Sequence, residues 1–600
     1  MARQLETFDN LVQMFFTRAR EKGDAPFLWA KADGKWQATS WAEAAQQVAA
    51  LATALTQLGL KRGDRVMLVS ENRPEWCISD LAIMAAGGVT VPTYTTNTER
   101  DHQHIIDNSG ATMTIVSNAK LAKTLLPAIL RTVGSTGHVV IGIEEMRMGQ
   151  SGAIEFHDWN RLIARHPTDV AAAEVEVAAM QRSDLACIIY TSGTGGSPRG
   201  VMQHHGAILT NVEGCCTIIS EDFGWEDEVF LSFLPLSHAY EHSGGQHFPI
   251  GLGAQIYYSE GLDKLASNIE EVRPTLMVVV PRLFEVLRTR IVKQVEKQGK
   301  FANYLLDRAV SIGSKKAAGK SSPLDLPMQL FLSRTLKPKL AKKFGGRIKA
   351  MVSGGAPLNP EVGVFFESLG ITFLQGYGQT EAAPVISCNR PKAGLKHDTV
   401  GPPLPGVEVR IAEDGEILVR GELVMHGYWH NEAETARVLK DGWLHTGDIG
   451  LIDEQGRIKI TDRKKDIIVN DKGDNVAPQK VEGMLTLQPE IMQAMIAGDR
   501  KPYMTAVLVP DPEWTQEWCA RNAAKCDLAA LREDHDYRAA VGAAVERVNK
   551  DLSVIERVRR FILADEPFAI ENQQLTPSLK IRRHVLKEVY GERLNALYKQ

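Results

Sequence analysis

The chain has 600 residues, 44% of them hydrophobic, and a formal net charge of -4. That length exceeds what one hydrophobic core fills, so two or more domains are expected. The near-balanced charge, without a basic run interleaved with aromatics, argues against nucleic acid as a partner. Seven cysteines (Cys77, Cys187, Cys215, Cys216, Cys388, Cys519, Cys526) show no Cys-x-x-Cys spacing. They predict reduced thiols, with neither a disulfide framework nor a zinc site. The opening MARQLETFDN has no apolar signal core, and no apolar segment is long and clean enough to span a bilayer. A soluble, cytoplasmic protein is expected.

Ser40 with Glu43 forms a capping-box pattern, and Trp41, Ala45, Val48, Ala52 and Leu55 then recur at helical spacing up to Gly59. RVMLVS, TMTIVS and HVVIGI follow as short β-branched runs separated by helical stretches. Such alternation predicts a parallel sheet with covered faces.

Residues 190–200, YTSGTGGSPRG, crowd glycines and hydroxyls behind the strand-like ACIIY. Small residues let backbone N–H groups turn toward an anion, and Thr191, Ser192, Thr194 and Ser197 add donors. The stretch lacks the Gly-Lys-Ser/Thr ending of a Walker loop. Pro198 followed by RGVM reads as extended chain, so strand, loop, strand is predicted. On these residues alone a phosphate-holding loop and an ordinary Gly/Ser turn both stand.

LMVVVP and IKAMVSGG continue the strand pattern. Between them, residues 292–312 read as helix and 315–326 as a loop. In LKPKLAKKFGGRIK, Lys337, Lys339, Lys342 and Lys343 could form a membrane-surface helix. Pro338 interrupts the period, and a solvated charged face leading into the next strand explains the same residues without a membrane, so the solvated face is the expectation. From about residue 407 short alternating segments with Asp-Gly and Gln-Gly turns predict a small antiparallel β region. The charged DRKKD stretch marks a boundary, because IMQAMIAGD, MTAVLVPD and further helices then begin a new α/β pattern. The predicted fold class is α/β: a large N-terminal domain of stacked mixed or parallel sheets with a small β region, over residues 1–461. A hinge at 462–466 and a smaller, mobile α+β domain at 467–600 complete it.

Five stretches decide the functional reading: the loop at 190–200, LQGYGQTEAAP, GWLHTGDIG, TDRKKDIIVNDKGDNVAP and LTPSLKIRR. Five short motifs in this order make coincidence very improbable. Over essentially its whole length the sequence resembles an acyl-CoA synthetase of the adenylate-forming superfamily, most like the bacterial long-chain fatty acid ligases. The resemblance implies that ATP converts a fatty acid to acyl-AMP with release of pyrophosphate, after which CoA displaces AMP to leave a thioester.

It also implies roles. The loop Thr191, Ser192, Gly193, Thr194, Gly195, Ser197 and Arg199 would close over the β- and γ-phosphates. Tyr377 and Gly378 with Gly355 and Ala356 would border adenine. Thr380 would reach the α-phosphate, and Glu381 with Thr191 would hold Mg²⁺. Asp448 would accept the ribose hydroxyls, having two acceptor oxygens and no competing donor. Arg463 would help hold the nucleotide. Lys580 would bridge carboxylate and α-phosphate, a flexible ammonium suiting such a moving contact. Thr380, Glu381 and Lys580 thus form the catalytic set. SFLPLSHAYEH, with His238, and Gly376 resemble the segments where acyl carbonyl and thiol meet; packing and substrate positioning are both open for His238. Lys465 matches the hinge, and Gly473 the loop that enters after rotation.

Gly195 departs from the usual threonine and Arg199 from the usual lysine; the guanidinium keeps the charge and adds a bidentate fork. An acyl-AMP ligase loading a carrier protein, a ligase for aryl or shorter acids, and a non-catalytic nucleotide-binding protein are the alternatives. Lys580 and Glu381, which the last would be expected to lack, are both present. The partners implied are fatty acid, ATP and CoA, without nucleic acid and with peripheral membrane contact left open; monomer and homodimer both remain.

Overall fold

A computed structural model describes residues 3–133, 137–146, 152–166, 168–191, 198–356, 358–464, 466–576 and 580–599. Ser40 starts the helix Trp41–Gln57 with both halves of the capping box in place, a cap of about 1 kcal/mol. Trp41 then stacks on Phe27 at 3.7 Å between ring centroids, pinning the helix to the strand Pro26–Ala32.

Among the described residues the large N-terminal portion holds two eight-stranded sheets. In one, Leu276–Val279, Ala350–Ser353 and Phe373–Gly378 lie parallel, and Val385–Cys388 closes the edge antiparallel. In the other, Arg65–Val69, Met113–Val116 and His138–Gly142 run parallel as their apolar runs predict. Leu185–Thr191 and Arg199–His204 return antiparallel, so the strand, loop, strand reading of residues 190–200 holds at both ends. Their register pairs Thr191 with Arg199. Helices such as Pro74–Ala85 and His205–Asp222 are buried within the main core. Strands run parallel here because helical crossovers cover both faces and bury the Val, Ile and Leu runs.

The antiparallel β region is also as predicted: Glu408–Ile411 turns at Gly415 into Glu416–Arg420, which pairs with Trp443–Ile452, itself paired with Ile458–Arg463. Beyond it, Ile491–Ala497, Met504–Pro510 and Val558–Leu563 form a three-stranded sheet. Residues 468–597 supply their own apolar clusters.

Four expectations are corrected. Residues 292–312 belong to two helices, Pro281–Glu296 and Lys300–Ala317, separated around Gly299 with φ 100°. The expected loop at 315–326 shrinks, because the second helix runs to Ala317 and a 3₁₀ turn, Pro323–Asp325, leads directly into Leu326–Lys343. Pro338 lies inside that last helix instead of breaking it. Leu332 and Leu340 on either side are buried in the adjoining core, and this packing offsets the roughly 3 kcal/mol cost of an interior proline. Finally, Cys519 and Cys526 form a disulfide where reduced thiols were expected. The chain turns back after the helix Pro512–Arg521 and brings the two Cα atoms to 5.7 Å, a proximity that no Cys-x-x-Cys spacing announces.

Candidate active site

A cleft of about 3030 Å³ opens between the N-terminal sheets, the small β region and the C-terminal portion. Thr191, at the end of its strand, lines it, as do Gly355, Ala356 and Gly376. Ser192, Gly193, Thr194, Gly195 and Ser197 lie outside the described residues, as does Lys465.

The segment after Phe373–Gly378 folds sharply back. Gly378 is required there, since a Cβ would collide with the carbonyl oxygen of Pro384. The turn puts Thr380 and Glu381 in a short 3₁₀ helix at the cleft wall. Gln203 Nε2 donates to the Thr380 carbonyl at 2.7 Å, and the Met425 N–H donates to that of Glu381 at 2.9 Å. The Glu381 carboxylate accepts at Oε1 from the Tyr428 hydroxyl at 2.7 Å.

Asp448 is buried midway along Trp443–Ile452. Its Oδ2 accepts from the Tyr377 hydroxyl at 2.7 Å and its Oδ1 from Arg463 Nε at 3.0 Å. One carboxylate therefore ties together GYGQTE, TGDIG and Arg463 of DRKKD.

Lys580 reaches this site from the C-terminal portion. Its N–H donates to Thr576 Oγ1 and its carbonyl accepts from the Thr576 N–H. Burial pulls its ammonium down to about 8, Arg463 pushes the same way, and Asp448 and Glu381 oppose. Those neighbours place Lys580 among the nucleotide-handling candidates. His238 also lines the cleft. It caps the next turn by accepting from the Tyr240 N–H at 3.1 Å, and burial followed by the Lys580 charge pulls it down to about 3. It is therefore a neutral imidazole at working pH, both packed and facing the cleft. Gly473, by contrast, sits exposed on the turn at 470–474, outside the lining.

Sequence reasoning missed two groups. Tyr428 is one, and the sole local hint was an aromatic in MHGYWH. The other is a buried cluster behind His238: Asp80 Oδ2 accepts from His242 Nε2 at 2.9 Å and Gln246 Nε2 at 2.7 Å, with His247 Nε2 at 3.5 Å. It braces a single π-helical turn, His242–His247. Against the burial penalty, His242 and His247 hold the Asp80 carboxyl far below its ordinary range. Asp80, His242 and His247 are close enough to share a cation, yet the Asp–His pairing already meets the buried charge. For Mg²⁺, hard oxygen donors are the apt set. Glu381 and Thr191 both line the cleft, and among the described residues only Oε1 of Glu381 is engaged by a side chain.

The layered α/β fold and a cleft that brings these motifs to one place define an adenylate-forming enzyme. Residues 15–429 match the model of AMP-binding enzymes and 465–600 that of the AMP-binding enzyme C-terminal domain. The chain belongs to the AMP-binding enzyme family. It is 33% identical over 603 residues to the long-chain-fatty-acid–CoA ligase FadD15 of Mycobacterium tuberculosis, covering 98% of this chain and 97% of that protein. It is 30% identical to the peroxisomal long chain acyl-CoA synthetase 7 of Arabidopsis thaliana, covering 94% and 82% respectively. Among solved structures, the adenylation domain of a carboxylate reductase from Mycobacterium chelonae superposes with a TM-score of 0.77 at 23% identity, covering 99% of this chain and 92% of that one. An anthranilate CoA ligase in complex with anthranoyl-AMP gives 0.71 at 19% identity, covering 98% of each chain. At these identities the structural likeness speaks for the fold.

Proposed function

We propose that the protein is a long-chain fatty acid–CoA ligase. A fatty acid carboxylate attacks the α-phosphorus of ATP, giving acyl-AMP and pyrophosphate; the CoA thiol then attacks the acyl carbon and AMP leaves with the bonding pair. The observation that carries this reading is the convergence of Lys580, Asp448 and Glu381 at one cleft from distant parts of the chain. Two anions meet in the first step, so positive charge must stand where charge develops. Lys580 supplies it between carboxylate and α-phosphate, and Thr380 donates to the latter. Glu381 and Thr191 would hold Mg²⁺, which when bound would neutralise phosphate charge. Asp448 and Arg463 fix the ribose end, Tyr377, Gly378, Gly355 and Ala356 border the base, and the loop through Arg199 covers the β- and γ-phosphates. His238 and Gly376 stand where the acyl carbonyl meets the thiol. The long-chain relatives support the substrate class.

ATP-dependent pyrophosphate release across acids from acetate to stearate, together with benzoate, checks the reading. Long chains should give the highest kcat/KM, with thioester formed only when CoA is present. A preference for benzoate or acetate would overturn it, and so would transfer to a carrier protein but not to CoA.

Membrane contact gains a specific observation. Leu326 and Leu330, four residues apart, share one face of the helix Leu326–Lys343 and Phe331 follows beside them; the three are exposed by 61%, 53% and 44%, with Leu324 just before them. Arg334, Lys339, Lys342 and Lys343 on the same helix are exposed as well. An apolar stripe beside lysines suits an anionic bilayer, where each cation near the surface contributes about 1 kcal/mol. In vesicle flotation the protein should bind phosphatidylglycerol over phosphatidylcholine, and Leu330→Glu with Phe331→Glu should reduce binding several-fold. Equal binding by this variant would sink the assignment.

A further inference from the structure

Tyr428 stands between two groups that the adenylation step requires, although it belongs to none of the motifs that define the site. Its backbone is fixed: Gly427–Tyr428 pairs antiparallel with Val201 and Met202 of the strand that leaves the phosphate loop, and the Trp429 N–H donates to the Gly200 carbonyl at 2.7 Å. The Tyr428 N–H donates to Thr435 Oγ1 at 2.9 Å. From this position the hydroxyl donates to Glu381 Oε1, while the Arg199 guanidinium lies over the ring at 4.7 Å. Arg199 is held from its other side by Glu434 at 2.5 Å, on the capped helix Glu432–Val438. Glu434 also pairs with Arg437, which lines the same cleft. Tyr428 itself is buried.

We propose that Tyr428 is a positioning residue of the adenylation step: its hydroxyl orients the Glu381 carboxylate toward the cation, and its ring seats Arg199 toward the phosphates. The proposal rests on the reading of Glu381 as the cation's carboxylate. A carboxylate anchored at one oxygen presents the other in a fixed direction; without the anchor it rotates and must be reordered each time the cation arrives. The ring does the corresponding work for the guanidinium, whose flat face matches an aromatic plane. Cation ligand and phosphate-facing arginine are thereby set at a fixed separation by one side chain whose own backbone is locked to the phosphate-loop strand.

Tyr428→Phe keeps the ring and removes the hydroxyl; Tyr428→Leu removes both functions. The probe is Mn²⁺, titrated by electron paramagnetic resonance against the full-length enzyme with a non-hydrolysable ATP analogue and no acid. Tyr428→Phe should weaken Mn²⁺ binding about 10–100-fold, the range for losing a partner that orients a metal ligand. It should raise the Mg²⁺ needed for pyrophosphate release in parallel and leave thioester formation from supplied acyl-AMP unchanged, which reports an intact fold. Tyr428→Leu should in addition raise the KM for ATP. In a Glu381→Gln background Tyr428→Phe should add nothing. If Glu381→Gln weakens Mn²⁺ but Tyr428→Phe does not, or if the two effects add, the positioning role is refuted while the role of Glu381 survives. If neither substitution weakens Mn²⁺, the reading of Glu381 has failed and the role of Tyr428 falls with it.

Discussion

Lys580→Ala is expected to lower acyl-AMP formation about 10²–10³-fold, the scale for removing one preorganised group that meets developing charge, while thioester formation from supplied acyl-AMP stays intact. The asymmetry follows from where the charge is needed: only the first half-reaction drives a carboxylate toward a phosphate. The ammonium sits beside Arg463 in a partly desolvated wall, which is why it is pulled down to about 8. The sign of the pH effect follows. Lys580 is charged below about pH 8 and neutral above it, and the charged form is the one that bridges two anions. The kcat/KM for adenylation, which reports the free enzyme, should therefore fall as pH rises through about 8. Bound ATP favours the ammonium, so the limb in kcat should lie at higher pH. Lys580→Arg should lose this limb, because guanidinium does not titrate there. Pyrophosphate release followed over pH 6–10 gives the profiles, and equal loss in both half-reactions of Lys580→Ala would refute the assignment.

What the sequence made legible was whatever is local. The capping box at Ser40 and Glu43, the hairpin around Gly415, the parallel runs and the return from Thr191 to Arg199 each depend on neighbours a few residues apart. Glycine requirements were legible as composition but not as cause: the need at Gly378 is a collision with Pro384 that appears only once the chain folds back. Contacts across the fold were not legible. Tyr428 meets Glu381 47 residues away, Arg199 meets Glu434 across 235, and Asp80 meets His242 across 162. None of these pairs has a spacing that periodicity detects. Pro338 misled for a related reason, since local propensity says break and the packing of Leu332 and Leu340 decides otherwise. Lys580 was found only by resemblance; a lysine 20 residues from the end of a chain carries no local mark of being drawn into a cleft.

Lys465→Pro is expected to separate the two half-reactions, leaving acyl-AMP formation and pyrophosphate release near the starting level and cutting acyl-CoA formation at least about tenfold, a barrier increase of about 1.4 kcal/mol or more. The reason is a conflict of approach. In the arrangement described here Lys580 lines the cleft, whereas Gly473 stands outside it on an exposed turn. A thiol that must reach the same carbonyl needs the lysine face withdrawn, and rotation of residues 467–600 would bring the turn that carries Gly473 in its place. Such a rotation needs large changes at a few backbone angles in a short connector. The flanks of the connector are anchored: Arg463 pairs with Asp448, the Lys464 N–H donates to the Gly447 carbonyl, and the N–H groups of Asp466 and Ile467 donate to the Arg463 carbonyl at 2.8 and 3.1 Å. Position 465, the pivot that the family resemblance implies, lies between these anchors. Proline there fixes its φ near -65° and biases Lys464 toward extended angles, freezing one state without touching the site. Gly473→Leu should give the same split by obstruction, because a side chain would stand where the thiol passes in the rotated state. In the present state a Cβ at Gly473 meets nothing within 4 Å, although its φ of +87° adds backbone strain. Gly473→Asn, whose side chain tolerates that angle, isolates the obstruction from the strain. Acyl-AMP accumulation by mass spectrometry against acyl-CoA yield gives the reading, and full acyl-CoA synthesis by Lys465→Pro would rule out alternation about this residue.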